Sequence, residues 1–274
     1  MSRKIALRFR EDVSTFKRAI PLIIEKEYAQ VFFIEHFPDY DNLCKYYYLL
    51  YKAYLKHNKN DAAQLLGHSM LFLKAFWTLN KADCKKHLLE INKIEIDETF
   101  HPYLIGRYFA CNLLFEFYHG DKTKIDQLLG AYFQIRNQLP KKGKHFLDFP
   151  ASEYIVSEAL LQIKSYGKCI ELVELAFKEF PLKMEFVRKG YYRQMQLFWL
   201  ISKKKLNPNL AIKRALQKIN PSTFYFISQK YFSVAYYYAL HLETGRKEDL
   251  KQSNQDIRDF IKASLPDAAT PAKY

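Results

Sequence analysis

Apolar residues recur along this chain at intervals of three and four, and almost nowhere at intervals of two. From Asp12 to Ser264 they group into successive amphipathic segments of about 13 to 22 residues, a period that predicts helix after helix and no sheet. The predicted cores run over 12–35, 40–57, 60–78, 81–93, 101–118, 121–138, 150–165, 167–179, 185–203, 208–219, 222–243 and 246–264. Breaks between them carry helix-stopping chemistry: Pro38-Asp39, Asn58 to Asn60, Gly120-Asp121, Pro140 to Pro150, Gly167, Asn207-Pro208, Asn220 to Ser222, Thr244-Gly245 and Pro266. Because these loops are short, consecutive helices are expected to lie antiparallel, side by side.

A longer rhythm overlies the helical one. Pro102, Pro140, Pro181, Pro221 and Pro266 stand 38, 41, 40 and 45 residues apart, and each interval holds a long helix, a turn and a second helix. The turns fall at matching places: 117–121, 165–167, 205–207 and 243–245. A helix pair of about 40 residues cannot bury its own apolar face, so pairs must stack on one another, and the expected fold is all-α, an α-α superhelix or solenoid of antiparallel helix pairs. Residues 1–100 read as an irregular helical start, 101–266 as the regular pairs and 267–274 as a flexible tail, all within one continuous domain.

Tyr166, Cys169, Val173, Ala176 and Pro181 share the spacing of an aromatic, a small residue, a large apolar residue, Ala and a closing Pro. That stretch resembles the second helix of a tetratricopeptide repeat. The first helix of the same unit differs from that pattern, with Glu153 and Leu160 where aromatics are favoured and Ser157 where Gly is favoured; the period also exceeds the 34 residues of that family. The resemblance implies a tetratricopeptide-like (TPR-like) helical-repeat scaffold that binds a protein or peptide.

Composition narrows the class. Hydrophobic residues make up 49% and charged residues 26%, which excludes a disordered chain. Only 8 glycines, 6 valines and 7 threonines occur, too few for tight-turned, β-branched sheets. Cys44, Cys84, Cys111 and Cys169 form no CxxC pair and read as reduced, buried thiols of a cytoplasmic protein. No apolar run approaches the ~18 residues of a membrane span, and the charged N-terminus lacks a secretory core, so no membrane partner is expected.

Catalytic grammar is missing. The glycines cannot make GxGxxG, a phosphate-binding loop or GxSxG, and no HExxH or i, i+4 histidine pair occurs. His87 with Glu90, and Glu171 with Glu174, are i, i+3 pairs that read as solvent-facing or structural. An enzyme, a cofactor and a metal are therefore not expected.

Charge is the stronger signal. The net charge is +14, and residues 186–242 contain ten basic side chains and no Asp or Glu: Arg188, Lys189, Arg193, Lys203, Lys204, Lys205, Lys213, Arg214, Lys218 and Lys230. Their field must be balanced by neighbouring elements, by ions or by an anionic ligand. On the helix over 185–203, Val187, Gly190, Tyr191, Leu197, Phe198 and Ile201 form an apolar stripe; Arg188, Tyr192, Met195 and Trp199 form a second stripe flanked by Lys189, Arg193 and Gln196. On the helix over 222–243 the polar face carries Gln229, Lys230, Ser233, Tyr237 and His241.

Two readings stand at this point. Either lysines occupy solvent faces with tyrosines as half-buried filler, or the first helices of adjacent pairs line an electropositive, aromatic groove for an acidic segment. The groove residues would be Arg188, Lys189, Tyr192, Arg193, Gln196, Gln229, Lys230 and Tyr237. The alternative function is sequence-independent nucleic-acid binding through phosphate contacts and tyrosine stacking. A third possibility is the sensor domain of a regulator, which would need a helix-turn-helix from elsewhere, since residues 1–35 are too short to supply one. The aromatic run 46–51 reads as a buried helix, and the basic clusters at 3–10 and 141–145 as solvated.

Overall fold

The computed structural model describes residues 61–139, 150–180, 186–219 and 228–264. The expected helices at 12–35 and 40–57, the run 46–51, both minor basic clusters and the tail at 267–274 lie outside them. The described residues are all helix and turn, without a strand among them. In chain order they form α1 (Asp61–Trp77), α2 (Lys81–Ile91), α3 (Pro102–Tyr118), a 3-10 turn (Lys122–Lys124), α4 (Ile125–Gln138), α5 (Ala151–Gln162), α6 (Tyr166–Glu179), α7 (Phe186–Leu206), α8 (Lys213–Gln217), α9 (Ser228–Thr244) and α10 (Lys247–Ser264). The chain divides into two compact units, residues 1–148 with 262–274, and residues 149–261.

Helix starts follow local chemistry. Asn80 Oδ1 accepts from the Asp83 N–H at 3.1 Å and caps α2. His101 Nδ1 accepts from the Tyr103 N–H at 3.1 Å, and Pro102, whose missing N–H costs nothing at a first helical position, opens α3. Asp121 accepts from the Thr123 N–H at 2.9 Å and starts the turn into α4.

In the first unit α1 packs on α2, α3 on both, and α4 on α3. Phe72, Ile91, Leu104, Ile105, Phe109 and Tyr132 are fully buried, with the Phe109 and Tyr132 rings edge to face at 5.4 Å. In the second unit α5 packs on α6, α7 on both, α9 on α7, and α8 on α9. Helix α10 is tied to α9 by Ser253 Oγ donating to the Val234 carbonyl and Ser233 Oγ donating to Asp256, at 2.9 and 2.7 Å. Within each unit one order of contact recurs: α3 touches both members of α1–α2, α7 both members of α5–α6, and α9 both α7 and α8. That order already begins at α1, within the stretch read from sequence as irregular.

The turns inside two of these pairs are the same structure. Leu79 N–H donates to the Phe76 carbonyl and Asn80 N–H to that of Ala75; Lys164 N–H donates to the Leu161 carbonyl and Ser165 N–H to that of Leu160. This is the Schellman arrangement, with a left-handed residue just past the helix end. Leu79 and Lys164 adopt φ of 57° and 60°, and they stand 85 positions apart. At the same separation, the Cys84 thiol points at the Phe72 carbonyl and the Cys169 thiol at the Ser157 carbonyl, at 4.0 and 3.4 Å. In α9–α10 a glycine, Gly245, takes the left-handed place at φ 71°. The break expected at Gly167 therefore sits three residues earlier, and Gly167 lies inside α6.

One element is shorter than expected. The helix read over 208–219 is confined to Lys213–Gln217. Residues before it are held in loop form: Lys204 Nζ donates to the Leu210 carbonyl at 2.8 Å, and Glu243 accepts from the Ile212 and Lys213 N–H groups at 3.2 and 3.1 Å.

Candidate partner-binding site

The site expected from sequence rests on α7 and α9, and these two helices do pack together. Helix α7, however, packs against α5, α6 and α9, and residues of both stripes are buried there. Tyr154 of α5 donates its hydroxyl to Gln194 Oε1 at 2.9 Å, and its ring stacks on Phe198. Met195, Leu197, Phe198, Leu200 and Ile201 are all buried.

This corrects the assignment of Tyr192. Its side chain is only 8% exposed and its ring stacks on Phe177 of α6 with centroids 4.2 Å apart. A ring face covered in this way has nothing to offer a partner. Met195, of the same stripe, is wholly buried. The second stripe reads as exposed in the sequence because one helix viewed alone shows no neighbour on that side; Phe177 and Glu174 of α6 supply one.

Arg193 and Gln196 remain half-exposed on α7, and Tyr237 half-exposed on α9 with its ring edge to face against Tyr236 at 5.6 Å. Ser233, one turn before Tyr237, is bonded to α10, which places that edge of α9 against the C-terminal helix. The side chains of Arg188, Lys189, Gln229 and Lys230 lie outside the described residues, although the backbone at all four is helical.

The basic run at the end of α7 is consumed within the fold. Glu174 Oε1 accepts from Trp199 Nε1 at 2.8 Å and from Lys203 Nζ at 3.0 Å, and the same ammonium sits 3.9 Å from the centre of the Trp199 ring. The Trp199 and Lys203 hydrogen bonds hold the Glu174 carboxyl below its ordinary range. Lys204 pairs with Glu243 at 3.0 Å, both side chains being 11% exposed. Burial pushes the Glu243 carboxyl up, but Lys204 and the Ile212 and Lys213 N–H groups outweigh it, and the net shift is downward. Lys205 lies over the Tyr238 ring at 5.3 Å, and its hydrogen bond to the Tyr238 hydroxyl raises its ammonium above the ordinary value.

Lys203, Lys204 and Lys205 thus have partners within the fold, the first two with carboxylates from flanking helices. Lys213 and Arg214 on α8, and Lys218 just past its end, are exposed. The role of Glu174 and Glu243 as counter-charges was missed by sequence reasoning, although Glu243 is the first acid after the acid-free run.

The minor clusters resolve separately. Glu171 pairs with Lys168 at 2.9 Å, so it does not share a ligand with Glu174. Glu90 pairs with Lys93 at 2.7 Å, while His87 turns its Nδ1 to His68. Cys84, Cys111 and Cys169 are free and buried, and burial pushes their thiols up to about 12, 12 and 11. Among the described residues no three His, Cys, Asp or Glu side chains converge as a metal cage, and no helix is long and apolar enough to cross a membrane. Set against protein-family models, curated proteins and solved structures, the chain matches none of them.

Proposed function

We propose that this chain is a non-enzymatic, TPR-like helical-repeat scaffold that holds a peptide or protein segment, preferably an acidic one. The observation that supports it is the contact order: α7 lies on α5 and α9 on α7, so leading helices of successive pairs run as neighbours, as they do in stacked-repeat scaffolds with extended binding walls. The recurring Schellman turn of α1–α2 and α5–α6 supports the repeat. On this reading the partner is gripped by Arg193, Gln196 and Tyr237, with Arg188, Lys189, Gln229 and Lys230 from the preceding turns of α7 and α9. Arginine and tyrosine favour such a role because a planar donor and a stiff amphipathic ring lose little conformational entropy on binding.

A fluorescein-labelled glutamate-rich peptide and a labelled single-stranded oligonucleotide, titrated by anisotropy at low and high salt, test the proposal. Wild type is expected to bind the peptide, and R193E with K230E to lose it at an unchanged melting temperature. Equal peptide binding by both proteins refutes the site. Oligonucleotide binding alone, falling steeply with salt, refutes the peptide reading in favour of phosphate recognition.

A further inference from the structure

His68 of α1 and His87 of α2 bring their Nδ1 atoms to 3.1 Å, with ring centroids 5.4 Å apart and planes inclined at 41°. Both rings are half-buried at the contact of the two helices. The second unit closes the equivalent contact differently. In the α5–α6 hairpin, the register fixed by Cys84 and Cys169 puts the buried Leu172 where His87 stands and the buried Glu153 where His68 stands. Two facing imidazoles, one of them in the place of a leucine, weaken packing locally, and departures of that kind concentrate at functional positions.

We propose that His68 and His87 form a two-imidazole site for a borderline divalent cation of the Zn2+ class, completed by water on the open side. Zinc–imidazole bonds measure ~2.0–2.1 Å, so two nitrogens this far apart subtend about 100° at a shared ion, close to the tetrahedral angle. Imidazole is also the donor such cations select over the carboxylates and carbonyls that suit Mg2+ or Ca2+.

The surroundings favour the arrangement. Asp83 lies one turn before His87 and Glu90 one turn after, both acting on the ring as negative charges; Lys86 and the His68 ring act in the opposite sense. Glu90 is influenced by both imidazoles and is held by Lys93 in an exposed pair, the weak kind that a cation can displace. This site is independent of the peptide-binding proposal.

The test is a Zn2+ titration of the chelator-stripped full chain by calorimetry, with histidine 15N spectra of the unmodified protein recorded alongside. Wild type is expected to take up one equivalent, with two histidine ring signals moving together. H68Q and H87L should each weaken uptake by at least the ~10-fold that loss of a mere outer-shell partner costs. E90Q should weaken it less, and H101Q not at all. Unchanged uptake in H68Q and H87L overturns the site. Should those variants fail to fold, zinc that moves no pair of histidine signals in the wild-type spectra overturns it equally.

Discussion

Replacing Glu243 by Ala removes three interactions at once: the ion pair with Lys204 at 3.0 Å and the acceptors for the Ile212 and Lys213 N–H groups. Loss of one member of a buried pair costs roughly 3–5 kcal/mol, because the other charge stays behind without its partner. Here Lys204 keeps the Leu210 carbonyl and both side chains retain 11% exposure, so the lower end, about 3 kcal/mol, applies. For a unit of this size about 4 °C of melting temperature follows each kcal/mol, so E243A should melt roughly 10 °C below wild type.

The assay is thermal unfolding followed by circular dichroism, with E174A as the control. Glu174 also holds a lysine, but its side chain is 52% exposed, so the control should cost no more than about 1 kcal/mol. The sign of the pH dependence follows from the depressed Glu243 carboxyl: its contribution is whole above the ordinary carboxylate range and is lost as pH falls through the lower folded value. The gap between wild type and E243A should therefore be full at neutral pH and narrow in acid. A variant melting within 2 °C of E174A at neutral pH, or a gap that widens on acidification, refutes the reasoning.

Four further outcomes are expected. Y192A should lose about 3 kcal/mol in urea denaturation, as a buried aromatic does, whereas Q196A stays within about 0.5 kcal/mol. Lys164→Gly should raise stability by up to about 1 kcal/mol by relieving the left-handed backbone, and Gly245→Ala should lower it by a similar amount, both read as shifts in the denaturation midpoint. In a C44S background, Ellman's reagent at mildly alkaline pH should label Cys84, Cys111 and Cys169 only as fast as the protein unfolds, since burial holds the thiols protonated and covered. Raising NaCl should weaken the exposed Lys168–Glu171 pair but leave the Lys204–Glu243 contribution nearly unchanged, seen as a constant melting difference between wild type and E243A.

The helices were legible because their signal is local. A 3.6-residue apolar period and the capping residues Asn80, His101 and Asp121 act within a turn or two of themselves, and the segments read over 60–78, 81–93 and 101–118 appear as α1, α2 and α3 within two residues at each end. The left-handed turn residues were not legible: Leu79 and Lys164 are neither Gly nor Asn, so nothing in their identity announces a positive φ. There the Schellman hydrogen bonds and the packing of the hairpin impose the conformation against local preference. The repeat of that turn was hidden for the same reason, since backbone geometry recurs where side chains do not.

The charge pattern left its own balance open for a different reason. A segment without a carboxylate invites the conclusion that its cations face outward to a ligand, yet charge balance is set in three dimensions. Glu174 lies 12 positions before the segment begins and Glu243 one position after it ends, and both reach lysines at the end of α7. Sequence separation says little about such pairing, because a helix returning antiparallel brings residues tens of positions apart into contact. Along α7 the ten residues from Arg193 to Lys203 span about 15 Å, so a change at one leaves the surroundings of the other intact, and the Glu174 side chain is bound to Lys203. On the proposed reading the two cations therefore have separable roles. A charge reversal at Arg193 should reduce acidic-peptide binding, while one at Lys203 should reduce stability instead.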